Sequence, residues 1–255
     1  MAREAFLREE GGAFAPNEYS RGYWRDDSIH GRSLVGLLGQ EIERRHGQAG
    51  WIPARFNVDM HRLAKFRPLK VETRSIRDGG RLRLIEAALT QDGLEVARAQ
   101  CQFLRTGEAP EGRVWSPEPW GVSPPAELAP LDDPKRMRLA EWRPISGEMG
   151  TCGQRRIWTR EFFDIVEGVP LTPFARVAVG ADFGSPWIHS GDAGIKYINT
   201  DIVVQLHRLP RGEWLGLEST GHEASQAIAV GNCRFYDEDG PLGYISATAL
   251  SNERR

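Results

Sequence analysis

One stretch of this 255-residue chain occurs twice. Asn57-Val58-Asp59 begins a strand-like run that reaches Pro68, and Asn199-Thr200-Asp201 begins another that reaches Pro210. In both copies the proline follows the asparagine by 11 positions. Each run leads into alternating segments and a polar turn, Thr90-Gln91-Asp92-Gly93 in the first and Asp237-Glu238-Asp239-Gly240 in the second. A strand, a proline and a turn recurring in order mark one architectural unit used twice. A functional site is expected where two such units meet.

The first unit opens with an aromatic, glycine-rich stretch, Ala13 to Trp24, and then a helix. Leu34, Leu37, Leu38 and Ile42 fall at helical spacing, with Gln40, Glu41, Glu43 and Arg44 between them. Gly36 and Gly39 each cost a helix about 1 kcal/mol relative to alanine. Close approach of the backbone to something flat, such as a sheet, is the expected compensation. Strands are expected at about 53–66, 69–77, 81–91 and 94–105. Asp78-Gly79-Gly80 and Gln91-Asp92-Gly93 would supply positive φ where the chain reverses. The second unit repeats the order: a strand over 154–161, a helix over 171–181 capped by Thr172 with Pro173 in its first turn, and strands at about 194–209, 213–221, 224–237 and 242–251. Between them Pro110, Pro117, Pro119, Pro124, Pro125, Pro130 and Pro134 exclude a central strand or a long helix. The chain thus reads as a first unit at 1–113, a Pro-rich linker at 114–150 and a second unit at 151–255. One helix against an antiparallel sheet in each unit is an α+β layer architecture.

Composition narrows the function. A net charge of −2 exerts no overall pull on nucleic acid or an anionic membrane. No stretch approaches the roughly 18 apolar residues of a membrane span, and the N-terminus has no apolar signal core. Cys101, Cys152 and Cys233 are odd in number and far apart, which reads as reduced thiols in a cytoplasmic protein. The sequence holds no Gly-x-Ser-x-Gly elbow, no phosphate-binding or dinucleotide glycine loop, and no zinc-ligand spacing. No metal or cofactor is therefore expected.

Trp24 followed by His30-Gly31, Ala181-Asp182-Phe183-Gly184, Asn199-Thr200-Asp201 through His207-Arg208, and Phe235 to Gly240 running into Ala247-Thr248-Ala249 share an order and spacing. In these the chain resembles the double hotdog proteins of the acyl-CoA thioesterase II type, over nearly its whole length. The resemblance implies two tandem units, each a long helix packed on an antiparallel sheet. It implies hydrolysis of acyl-CoA thioesters to free acid and coenzyme A. It makes Asp182, at the end of the second helix, the catalytic carboxylate, with Asn199 or Thr200 as its polar companion on the next strand. The family's glutamine on the last strand is replaced by Thr248, with Ser246 close by. A threonine is shorter than a glutamine and offers one donor.

The residues themselves suggest further roles. His30-Gly31 precedes the first helix, where unpaired N–H groups suit an oxyanion or a phosphate and a glycine lets a ligand come close. Arg62, Lys65 and Arg67, with His207 and Arg208, are expected as one basic group at a pocket mouth, facing the phosphates of coenzyme A; a solvated sheet edge is the alternative. Asp59 and Asp201 read as strand-end residues that set register. Phe183, Trp187 and Trp214 fit an acyl tunnel or ordinary core. Three readings stay open: a thioester hydrolase, a non-catalytic acyl or acyl-CoA binding protein, and an enoyl-CoA hydratase using His30 with Asp26 or Asp27. The expected partner is an acyl-CoA or related thioester. One chain should carry a complete pocket, with a homo-oligomer possible but not required.

Overall fold

The computed structural model describes residues 3–118, 120–133 and 139–252. Pro119 and Pro134 lie outside these. The strands are Ala5–Glu10 (β1), Ala13–Pro16 (β2), Trp51–Met60 (β3), Lys70–Asp78 (β4), Leu82–Gln91 (β5), Leu94–Arg105 (β6), Ala140–Ser146 (β7), Arg156–Glu161 (β8), Asp164–Val166 (β9), Ser190–Gly191 (β10), Gly194–Ile195 (β11), Tyr197–Asn199 (β12), Asp201–Leu206 (β13), Leu215–Ser225 (β14), Ile228–Asp237 (β15) and Gly240–Ser251 (β16). Two long helices accompany them, α1 at Gly31–His46 and α2 at Pro173–His189.

Both halves contribute to one antiparallel sheet in the order β4-β5-β6-β3-β13-β16-β15-β14-β8-β7, with β12 also on β16. The halves join where β3 pairs with β13, and there the two copies of the repeat lie directly opposite each other, Asp59 against Asp201. This is the double hotdog, an α+β fold, as expected. A single hydrophobic core runs through both halves. A smaller sheet ties them again: β1, which the sequence reading did not pick out, pairs with β2 and runs parallel to β9 of the second half.

Local chemistry explains the helix starts. His30 caps α1, its Nδ1 accepting from the Ser33 N–H at 3.2 Å. Thr172 caps α2 in the same way, accepting from Ala175 N–H at 3.0 Å, and Pro173 occupies the first turn. The second helix departs from expectation at its far end. It continues past 181 to His189, with Pro186 inside it. A proline there lacks the N–H that would bond to the carbonyl four residues back, which is that of Asp182.

The glycines of α1 have their nearest neighbours on α2, with the sheet residues Ile165 and Phe56 next, at 3.1 and 3.6 Å. A Cβ on Gly39 would lie 2.5 Å from the Cβ of Ala178, and one on Gly36 would lie 2.7 Å from Val179. They bring α1 against α2. The reverse arrangement holds for α2, whose Gly180 meets Leu215 and Phe235 and whose Gly184 meets Ile245 of the sheet. The turn at Asp92-Gly93 has positive φ at both residues, 51° and 76°, as its sequence demands. Gly79 and Gly80 are not in that region, so that reversal uses an ordinary turn.

The stretch read as a linker contains β7, which spans Ala140 to Ser146 and holds Pro144. It is the edge strand next to β8, where a missing N–H is tolerated. Earlier in the stretch, Trp120 stacks on Tyr236 with ring centroids 4.0 Å apart. It closes on Gly216, where a Cβ would meet the indole at 2.3 Å.

The helix–helix contact gives the first prediction. Gly39→Ala improves intrinsic helix propensity by about 1 kcal/mol but places a methyl into Ala178, and overpacking of this kind costs about 1–3 kcal/mol. Urea unfolding should show a net loss of stability. A net gain would mean that the two helices are not held at this distance.

Candidate active site

A cavity of about 530 Å³ opens between the start of α1, the middle of α2 and the β12–β13 strand. Its walls are mainly apolar, with Ile29, Leu34, Met60, Trp142 and Phe183 among them. His30, Gly31, Arg32, Asp182, Asn199, Thr200 and Arg62 also line it. The tertiary fold therefore brings six of the ten candidate site residues to one place.

Asp182 sits on the N-terminus of α1. A Cβ on Gly31 would lie 2.3 Å from Asp182 Oδ1 and 2.7 Å from Oδ2. Gly31 was expected to admit a ligand; the group it admits is this carboxylate. The positive end of α1 faces the charge. Burial nevertheless dominates, pushing the Asp182 carboxyl from 3.8 up to about 6. The Arg32 guanidinium, the Asn199 side chain and the Arg32 backbone N–H act in the opposite direction and keep the rise from being larger. Arg32 does not form an ion pair with Asp182. Its guanidinium instead reaches Glu161, and both side chains are buried.

A β-bulge sets the companion residues. Asn199 stands opposite Ala249 and Val203 opposite Ser246, so four steps along one strand match three along the other. The extra residue falls at Thr200–Asp201. Thr200 N–H donates to Thr248 O at 2.9 Å, its hydroxyl donates to the same oxygen at 3.2 Å, and Thr248 N–H donates to Asp201 Oδ1 at 2.6 Å. Asn199, opposite the core residue Ala249, thereby turns to α2. Its Nδ2 also contacts Met60 Sδ at 3.5 Å.

Thr248 and Ser246 do not line the cavity. Side chains of a strand alternate between faces. Ile245, Ala247 and Ala249 are buried toward α2, so Ser246 and Thr248 point to the other face of the sheet. Thr248 meets Thr200 only through its backbone. The last strand thus offers Asp182 no polar side chain.

His207 and Arg208 are also misplaced by the sequence reading. Because β3 and β13 are antiparallel, the end of one lies beside the start of the other. His207 and Arg208 therefore follow β13 at the side of the sheet opposite Arg62. His207 Nε2 contacts Pro241 O at 2.9 Å. Arg208 makes two bonds of 2.6 Å to the buried Asp237, a structural pair that holds the closing hairpin. Of the expected basic group, Arg62 lines the cavity, while Lys65 pairs with Asp27 and Arg67 with Asp92. Trp214 lies under Arg143 and Arg160, away from the cavity.

His30 is engaged on both ring nitrogens, Nδ1 with the Ser33 N–H and Nε2 with Tyr19 O at 3.0 Å. In the tautomer these partners require, Nε2 donates and Nδ1 accepts. No lone pair remains for a base. Asp27, exposed, pairs with Lys65. Arg32 and Ser185, which line the cavity, and Glu161, the buried partner of Arg32, were missed by sequence reasoning; only their tertiary placement marks them.

A family profile described as the acyl-CoA thioesterase C-terminal domain matches residues 110–248, and its N-terminal counterpart matches residues 20–104. The chain belongs to the acyl-CoA thioesterase family. Solved structures share its fold. The tesB protein of Mycobacterium avium subspecies paratuberculosis has a TM-score of 0.73 at 16% identity, with 97% of this chain and 96% of that one covered. A hot dog fold protein of unknown function from Alicyclobacillus acidocaldarius gives 0.74 at 17%, covering 98% and 96%. Acyl-CoA thioesterase II TesB2 from Mycobacterium marinum gives 0.66 at 15%, covering 97% and 96%. A search of curated proteins gave no match. Among the described residues no helix of this thioesterase is long and apolar enough to cross a membrane.

The raised carboxyl has a measurable consequence. A folded value above the unfolded one means the native state binds its proton more tightly. Stability therefore falls as pH rises from about 4 to about 6, and the loss is complete above that. Asp182→Asn removes the buried charge. The variant should exceed wild type in stability by on the order of 2 kcal/mol at pH 8 and match it near pH 4. Urea denaturation at the two pH values checks this; a gap that does not change with pH would contradict it.

Proposed function

We propose that this thioesterase hydrolyses acyl-CoA esters with Asp182 as general base. The observation that carries this reading is a carboxylate raised to about 6 in a mainly apolar cavity, seated on the N-terminus of α1. A base poised near the working pH is mostly ionised at pH 7, yet basic enough to accept a proton in the transition state. In the proposed reaction Asp182 takes a proton from a water whose oxygen attacks the thioester carbonyl carbon. The C–O bond forms and the C–S bond breaks. The proton then passes to the departing thiolate, giving free acid and coenzyme A. Asn199 and Thr200 are the polar groups on the cavity wall suited to orient the water. The apolar wall around Ile29, Leu34, Trp142 and Phe183 suits the acyl chain, and exposed Arg62 suits the phosphates of coenzyme A.

All of these residues come from one chain, drawn from both halves, so the proposed site needs no second copy. The proposed units are 1–113 and 151–255, with β7 added to the second as its edge strand, and the proposed setting is cytoplasmic.

One observation favours a second reading. The last strand gives the cavity no side-chain donor, Ala247 and Ala249 being the residues it buries toward α2, which suits a protein that binds acyl-CoA without hydrolysing it. Release of free thiol from a panel of acyl-CoA esters separates the two. For the hydrolase, Asp182→Asn should lower kcat/KM by about 10²–10⁴-fold, and wild-type kcat/KM should climb with pH through about 6. Thr248→Val and Ser246→Ala should change it less than about threefold, since neither side chain faces the cavity. Saturable binding of the same esters with no thiol release would establish the binding protein instead.

A further inference from the structure

Asp182 rests on the backbone of Arg32, while the Arg32 side chain reaches elsewhere. The carboxylate takes the Arg32 N–H in the first turn of α1. The guanidinium of the same residue is bonded to Glu161, the last residue of β8. Arg32 is nevertheless the one cation that acts on Asp182, and Asn199 is the other side chain that does. Tyr23, His30, His61, Arg62 and Tyr197 also line the cavity and are not among the groups acting on the carboxyl.

The Arg32–Glu161 pair is deeply buried, with side chains 8% and 4% exposed. Its contact is single. Arg32 Nη2 meets Glu161 Oε1, while Arg32 Nε and Glu161 Oε2 are buried without hydrogen-bond partners. The grip therefore lacks the two parallel bonds of an arginine–carboxylate fork. Two further cations face Glu161, Arg176 of α2 and Arg3 ahead of β1. Neither is bonded to its carboxylate: Arg176 donates to Gly212 O at 2.9 Å, and Arg3 donates to Glu161 O and Glu213 Oε1, both at 3.1 Å. A buried cation is costly without an anion beside it, so Arg32 needs one carboxylate or the other.

The other half of the chain has no such pair. Gly31 and Pro173, the first residues of the two helices, are 142 positions apart, and so are Gln40 and Asp182. A cavity of about 510 Å³ lies at the equivalent place beside the start of α2, with Gln40 and Thr172 among its lining residues. The second residue of α2, in the place of Arg32, is Phe174, fully buried and packed edge-on against Phe56. Where the later helix position is an amide, this turn carries no cation. Where it is a carboxylate, the turn carries an arginine and a second carboxylate to hold it.

We propose that Glu161 is a positioning residue for the Asp182 site, holding the Arg32 guanidinium at β8 and away from the carboxylate that receives the proton. The inference rests on Asp182 being the base of the hydrolase. Without the Glu161 charge, the guanidinium turns to the carboxylate that already touches its own backbone. A carboxylate paired with arginine ionises more readily and is the weaker base.

Glu161→Gln tests this, being nearly isosteric and leaving an amide oxygen that holds Arg32 less firmly than a carboxylate does. Carbon-13 NMR of the aspartate-labelled full chain, with the Asp182 signal assigned by its loss in Asp182→Asn, reads the titration without turnover. The midpoint should move down from about 6 by about one to three pH units. At pH 8 kcat/KM should fall about tenfold, because a weaker base takes less of the proton in the transition state. Arg32→Met/Glu161→Gln replaces the buried pair by neutral side chains, and its midpoint should stand at or above that of wild type, since the cation that lowers Asp182 is gone. If Glu161→Gln fails to fold, Glu161→Asp keeps the charge on a shorter stem and should move the midpoint in the same downward direction. An unchanged or raised midpoint in the single variant, or a lowered one that persists in the double variant, overturns the proposal. A wild-type chain that releases no thiol overturns the hydrolase reading alone, and the midpoints still decide whether Glu161 holds Arg32 away from Asp182.

Discussion

The contact between α1 and α2 through Gly36 and Gly39 fixes most of what this protein can do. Each glycine takes the place of a side chain that would collide with Ala178 or Val179. The helices can then lie backbone to backbone across the β3–β13 junction. Close approach extends to the start of α1, where Gly31 leaves room for the carboxylate of Asp182. A side chain there would displace the charge from the helix N-terminus and open the site. The loss of helix propensity at three glycines is thus offset by tertiary placement, which is why propensity alone misjudges them.

The site also depends on an imbalance between burial and compensation. Asp182 lies among apolar walls that raise its carboxyl, while Arg32 and Asn199 partly restore the charged form. Arg32 would hold it far lower if it paired with it directly. Its buried partner is Glu161 instead. The carboxylate is left intermediate between a salt-bridged acid and a fully desolvated one, which is the condition for a base working near neutrality.

Duplication supplied two equivalent places for a pocket, and the chain has made them chemically different. Where one has the Asp182 carboxylate, the other has the Gln40 amide at the equivalent position. The caps differ likewise: His30 closes the first helix with both ring nitrogens used, and Thr172 closes the second while its hydroxyl reaches Glu43. A fold with two-fold topology need not keep two-fold function, because side chains in the halves change independently while the backbone register holds them in place.

The sequence by itself determined the repeat, the two-helix, antiparallel architecture and the cap at Thr172. These rest on local patterns: apolar spacing, alternation, turn residues and a strand followed by proline. It also placed Asp182, Asn199, Thr200, His30 and Gly31 on the elements that converge, with resemblance to a family guiding the choice. Only the tertiary structure decided which side chains face the cavity. Thr248 and Ser246 fall on the outer face because strand faces alternate, and one bulge at Thr200–Asp201 turns Asn199 toward α2. His207 and Arg208 lie far from Arg62 because equivalent strands run antiparallel. The length of α2 was hidden by Pro186, a breaker in isolation that packing tolerates. The partners of the α1 glycines and the ion pair of Arg32 with Glu161, 129 residues away, involve long-range contacts that no local pattern encodes.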